Sequence, residues 1–207
     1  MDIIAYASIS GTKVNNQRIN DAGWRWLLNP YDARPGYQHY AMDCGAWIAH
    51  NRGTTLDEAL FEKFVARYHQ NADWIVLPDI VAGGQASLAL SLSWIGRLPA
   101  SSKLLLAAQN GMTFDDVSQH LNERIGIFLG GDTDYKLSTG HAWGEIARQR
   151  HCYFHVGRVN SARRIMWCSE IGADSFDGTS ATVYSQTLPR LERARQQPSI
   201  FRDARGQ

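Results

Sequence analysis

The chain has 207 residues, 44% of them hydrophobic and 20% charged, and a formal net charge of +1. That length suits a single domain with a full core, and the near-neutral charge favours local basic patches over a chain-wide phosphate track. No apolar run approaches the ~20 residues of a membrane-spanning helix, and no basic segment precedes an apolar core in Met1–Tyr6. The cysteines Cys44, Cys152 and Cys168 lack paired spacing, which argues against a disulfide framework or zinc knuckle and leads to an expected cytoplasmic location without a cofactor.

Ile3–Ile9 reads as the first strand. Asn15–Gln38, with Trp24-Arg25-Trp26-Leu27-Leu28 and breaks at Pro30 and Pro35-Gly36, reads as a short helix followed by an irregular loop. His39–Trp47 is the second expected strand, and Thr54 or Thr55 caps a helix carrying Leu56, Leu60, Phe64 and Tyr68 on one face. Strands at Trp74–Val81, Lys103–Gln109 and Ile125–Leu129 then alternate with helices at Gln85–Ile95, Phe114–Leu121 (capped by Thr113) and Trp143–Arg148. A strand at Cys152–Val156, a helix capped by Asn160 or Ser161 and closed by Gly172, and a strand reaching Asp177 follow. A last helix through Leu188, Leu191 and Ala194 completes the chain, with Pro189 marking its first turn or a kink.

Seven strands are countable and nearly all are followed by a helix, the pattern of a parallel sheet. The expected fold is α/β, a compact (β/α)8 barrel that is either complete or one strand short, occupying residues 1–207 as one domain. Polar residues recur at the strand ends, where such a barrel keeps its chemistry: Asp43, Asp79, Gln109, Gly130-Gly131, His155 and Asp177. Asp174, three residues before Asp177, reads as a turn former. Cys44 and Cys168 read as small buried hydrophobes and the seven tryptophans mainly as core, although Trp47 could stack on a base.

Three chemistries could use such a set. No His-x-His or His-x-x-x-His pair lying within one expected strand or helix supports a metal site. A Schiff-base lysine is poorly placed, since Lys103 begins its strand and Lys136 lies beyond the loop after the fifth strand counted. The third is displacement at an anomeric carbon, in which one carboxylate attacks and another moves a proton. Asp177 and Asp43 would suit those tasks, leaving Asp79 and Gln109 to read a flat heterocycle.

These motifs resemble the tRNA-guanine transglycosylase superfamily, including its 7-deazaguanine DNA-modifying branch, from about Tyr40 to Thr179. Met42-Asp43-Cys44-Gly45-Ala46-Trp47 resembles the segment bearing the family's acid/base Asp. Leu77-Pro78-Asp79 and Ala108-Gln109-Asn110-Gly111 resemble its base-recognition segments, Leu129-Gly130-Gly131 its pocket-lining strand end, and Ala173–Gly178 the segment ending in the nucleophilic Asp. The zinc subdomain of the tRNA enzymes, Cys-x-Cys-x-x-Cys followed by His, is missing from this sequence. The resemblance therefore points to the compact, DNA-directed relatives of phages and prokaryotes more than to tRNA enzymes.

What the resemblance implies is retaining base exchange on a base taken out of the DNA stack. Asp177 would attack C1′ and Asp43 would assist the leaving base. Asp79, Gln109, Gly130, Gly131 and Trp47 would hold the base, and a free 7-deazaguanine would be the co-substrate. Attack by water would make the same site a DNA glycosylase. A non-catalytic barrel that binds a modified base and a nucleoside-processing glycosidase are the rival readings. His155, Arg158, Asn160, Arg163 and Arg164 are candidate phosphate or DNA contacts, and Arg190, Arg193, Arg195, Arg202 and Arg205 form a basic tail.

Overall fold

The computed structural model describes residues 3–9 and 12–197. Arg202 and Arg205 of the basic tail lie outside them. Eight parallel strands close a barrel in sequence order, β1 (Ile4–Ser8), β2 (Arg25–Leu28), β3 (Tyr40–Met42), β4 (Ala72–Val76), β5 (Leu104–Ala108), β6 (Ile125–Leu129), β7 (Phe154–Val156) and β8 (Ser175–Gly178). β8 closes on β1 with Tyr6 opposite Asp177. The helices are α1 (Lys13–Asp21), α2 (Ala46–Asn51), α3 (Glu58–Tyr68), α4 (Gly84–Trp94), α5 (Phe114–Ser118), α6 (Thr133–Gln149), α7 (Ala162–Glu170), α8 (Ser180–Val183) and α9 (Leu188–Gln196). None is long and apolar enough to cross a membrane.

The missing eighth strand is β2, inside the stretch expected to be helix and loop. Four residues, Arg-Trp-Leu-Leu, carry no decisive periodicity, because so short an apolar run fits either element. Pairing decides it: Tyr6–Ser8 align with Arg25–Leu27 on one side, and Tyr40–Met42 align with Trp26–Leu28 on the other. The helix before it, α1, is almost entirely polar and buries only Asn15 and Ile19.

Other boundaries shift for local reasons. The expected strand His39–Trp47 stops at Met42, because Gly45 at φ +87 turns the chain into α2 and places Trp47 on a helix. Asp57, not Thr54 or Thr55, caps α3 through its bond to the Leu60 N–H. Thr113 caps α5 in a reciprocal pair with Asp116, as the sequence indicated, but α5 ends at Ser118. α6 begins ten residues before the expected Trp143, with Asp132 as its cap. Pro189 lies in the first turn of α9.

Trp24, Trp26, Trp74, Trp94 and Trp143 are buried, as are all three cysteines. At the N-terminal end of the barrel, the Tyr6 hydroxyl and the Arg25 guanidinium both donate to Asp73, at 2.9 and 2.8 Å. This cluster sits opposite the strand ends that carry the candidate site, where polar groups serve stability.

Candidate active site

Inside the barrel, rings from four strands make a floor. Tyr6, Trp74, Phe128 and His155 pack together, with ring centroids 4.6 Å apart for Trp74–His155 and 4.9 Å for Phe128–His155. Asp177 rises above this floor on β8. Its position two residues from Ser175 sends both side chains to the same face of the strand.

His155 is fully buried and both ring nitrogens are bonded. Nε2 lies 2.9 Å from Asp177 Oδ1, and Nδ1 lies 2.7 Å from Ser175 Oγ. A carboxylate only accepts, so Nε2 carries the proton and Nδ1 accepts from the Ser175 hydroxyl. Burial lowers the imidazole pKa and the Asp177 contact opposes the shift, in keeping with a neutral ring. Ser175 is sealed from solvent and Asp177 is 8% exposed, so the carboxylate is the end of this chain that a ligand can meet. His155 was expected to contact phosphate or DNA; the structure buries it fully beneath Asp177, away from any such contact.

The second Asp177 oxygen accepts from the backbone N–H of Arg158 at 3.2 Å. Arg158 follows Gly157 in a left-handed conformation, φ +58, uncommon for a residue with a side chain and a mark of imposed geometry. Its guanidinium donates to the Gly131 carbonyl and lies 4.3 Å from the centre of the Trp47 ring. Trp47 follows β3 and Arg158 follows β7, strands on opposite sides of an eight-stranded barrel. The cation–π pair therefore reaches across the barrel mouth.

Two more carboxylates share this end. Asp43 follows β3, and its Oδ1 accepts from the Gly45 N–H at 2.6 Å. Burial pushes its pKa up to about 7, and the charges of Asp79 and Asp177 push the same way. Asp79 follows β4, and burial raises it to about 6 despite the Cys44 thiol donating to its Oδ1 at 3.2 Å. Cys44 is thus a polar partner of Asp79, beyond the small hydrophobe expected, and burial raises its own pKa strongly. Cys168 is buried, as expected.

Gln109 is also at this end, but its amide is engaged. Oε1 accepts from the Ala82 N–H at 2.8 Å, and Nε2 donates to the Ile80 carbonyl and to Ser87 Oγ. The residue expected to read a base holds the β4–α4 loop instead, where Ala82 sits at φ +56. Asn160 is likewise diverted: its Oδ1 accepts from the backbone N–H groups of Thr179 and Ser180 and ties the β7–α7 and β8–α8 loops together. Gly130 continues the ladder by donating to the Ala108 carbonyl. Gly131, at φ +74, has no room for a Cβ, which would lie 2.6 Å from Asn110 Oδ1.

Asp174 has the structural role foreseen, its Oδ2 accepting from the Phe154 N–H at 2.8 Å. Arg163 is exposed on α7, and Arg164 donates to Thr133 Oγ1 at 3.2 Å. Arg195 of the basic tail is a packing residue, paired with Glu192 and bonded to the Ile3 and Ala22 carbonyls. Ser175, Cys44 and the aromatic floor were missed in the sequence. Strand alternation back from Asp177 could have found Ser175; nothing local marks the others.

No family model matches the chain, and no curated protein matches it. Solved structures do. Tryptophan synthase from M. tuberculosis superimposes with a TM-score of 0.51 at 12% identity, over 94% of this chain and 90% of that one. A Burkholderia cenocepacia protein provisionally named a phosphonomutase matches with a TM-score of 0.39 at 13% identity, over 95% and 94% of the two chains. At these identities the first likeness concerns the fold alone: the chain is a (β/α)8 barrel.

Proposed function

We propose that the chain is an enzyme of N-glycosidic bonds that exchanges a purine-type base in DNA for a free 7-deazaguanine through a covalent intermediate on Asp177. One observation carries this reading: two carboxylates at one barrel mouth are held in contrasting environments. Asp177 receives two N–H donors, from His155 and Arg158, whereas desolvation keeps a proton on Asp43 up to about pH 7. Divergent environments of this kind divide nucleophile from proton donor in retaining chemistry at an anomeric carbon.

In the mechanism, a nucleotide leaves the stack to bring C1′ to the pocket. An Asp177 oxygen attacks C1′ as the C1′–N bond breaks, and Asp43 gives its proton to the departing base. Asp43, now a carboxylate, takes a proton from the incoming base, whose nitrogen displaces Asp177 and restores the carboxylate. Asp79 reads the base edge and the glycine backbone after β6 lines it. Gln109 acts indirectly, by holding the Ile80–Ala82 loop. Arg158 must leave the Trp47 face before a base can stack there.

The test is mass analysis of DNA nucleosides after incubation with the protein, with and without 7-deazaguanine. A new deazapurine nucleoside supports exchange, whereas an abasic site that never gains a base makes the protein a glycosylase. Wild-type base release by Asp177→Ala and Asp43→Ala would sink both. Action on free nucleosides with no salt-sensitive binding of DNA would remove the polymer from the reading.

A further inference from the structure

One buried cation takes no part in that mechanism. Lys136, in the first turn of α6, is 6% exposed, and its Nζ donates to the Gly157 carbonyl at 2.7 Å. It lines a cleft of about 10 Å³ between α6 and α7 with Thr133, Arg158 and Arg164, over an apolar base of Leu137, Val156, Val159 and Trp167. Among the described residues no carboxylate forms an ion pair with Lys136, Arg158 or Arg164. Asp132, the carboxylate that acts on Arg158 from the α6 cap, has its oxygens bonded to the Tyr135 N–H and the Asn110 amide. Burial lowers the Lys136 pKa to about 8, with the two guanidinium charges adding to the shift and Asp177 opposing it.

Asp132 and Asp177 act on this group from a distance, and no carboxylate stands within ion-pair reach of Lys136, Arg158 or Arg164 among the described residues. Three positive charges at one cleft favour an anion there, and the cleft has room for one water-sized oxygen. The Thr133 hydroxyl accepts from Arg164, which leaves its own hydrogen to donate.

We propose that this cleft is a phosphate subsite, and that it takes the phosphate of the nucleotide whose glycosidic bond Asp177 attacks. The second half rests on the function proposed above; the first does not. The link between them is one peptide unit. The Gly157 carbonyl accepts from Lys136, and the N–H of the same peptide, on Arg158, donates to Asp177 Oδ2. Lys136 polarises that peptide and strengthens its N–H toward the carboxylate, so phosphate capture and nucleophile positioning share a single rigid group.

Thermal unfolding of the full chain in inorganic phosphate, against sodium chloride of equal ionic strength, tests the subsite. Phosphate is expected to raise the Tm of wild type by about 2–4 °C and to leave Arg164→Gln and Lys136→Met unmoved. Both variants should bind a single-stranded oligonucleotide about tenfold more weakly, with a salt slope shallower by about one. Their unfolding midpoints in chloride check that they fold. Competition by a 5′-mononucleotide as strong as by the oligonucleotide supports a phosphomonoester occupant; competition by the oligonucleotide alone supports a backbone phosphodiester. A phosphate shift retained in both variants, or absent from wild type with oligonucleotide affinity unchanged in the variants, overturns the subsite. Phosphate binding through the cleft by a protein that releases no base overturns the Asp177 chemistry and leaves the subsite standing.

Discussion

His155 Nε2 lies 2.9 Å from Asp177 Oδ1 inside the barrel, and nothing but protein surrounds the imidazole. A buried ring with its other nitrogen on Ser175 has one way to meet a carboxylate, as a neutral donor. It fixes which Asp177 oxygen is held and which way the carboxylate plane faces.

Replacing that donor should therefore cost activity more than it costs the fold. His155→Phe, which keeps the ring, is expected to slow covalent adduct formation on the order of 100-fold, the scale of losing one preorganised donor at a reacting oxygen. His155→Gln, which can still donate, should recover part of the rate. Ser175→Ala should be milder, about tenfold, because only the tautomer control is lost. Single-turnover rates of adduct formation across pH separate these from a packing effect.

The raised carboxylates make a pH prediction of definite sign. If Asp43 is the proton donor, base release falls as pH rises through about 7, where Asp43 loses its proton. Asp43→Asn should abolish that limb of the profile along with most of the rate. A release rate that is flat from pH 6 to 9 in wild type would contradict the assignment.

Stability responds to the same groups. Asp43 and Asp79 hold protons in the folded state to about 7 and 6, above their ordinary value of 3.8. The folded chain therefore binds more protons than the unfolded one between these values, so their contribution is full below about pH 4 and is lost as pH rises through 6 and 7. Asp79→Asn should raise stability at pH 8 by on the order of 2 kcal/mol. Denaturant unfolding at pH 5 and pH 8 measures it, and a gain as large at pH 5 would count against this cause.

Gly178, directly after the proposed nucleophile, is tightly enclosed. A Cβ there would lie 2.2 Å from the Val159 carbonyl oxygen, which is backbone and cannot swing away. Gly178→Ala should destabilise the chain on the order of 3 kcal/mol by overpacking, and it should also disturb Asp177, whose carbonyl accepts from the Val159 N–H. Thermal melting and adduct formation should both decline.

Gln109 separates two roles. As the brace of the β4–α4 loop, Gln109→Ala removes three hydrogen bonds and should cost about 1–3 kcal/mol of stability, with a raised KM for the incoming base through displacement of the loop. A variant that melts like wild type but loses base discrimination would restore Gln109 to the base-reading role.

Much of the barrel was legible in the residues alone. Buried parallel strands are continuous apolar runs, and Leu104–Ala108 and Ile125–Leu129 announce themselves by composition. Strand ends are also local features, which is why Asp43, Asp79 and Asp177 were readable as strand-end acids before the barrel brought those ends together. What the chain alone could not decide was every feature made by partners distant in sequence. Arg25–Leu28 is a strand because β1 and β3 flank it. Gln109 is a brace because Ala82 and Ser87 fold onto it. His155 is a buried donor because Trp74 and Phe128 pack against its ring, and Lys136 reaches the Gly157 carbonyl from a helix that starts ten residues early. Side-chain type is written in the sequence; burial and pairing, which set the protonation and direction of each group, exist only once the barrel closes.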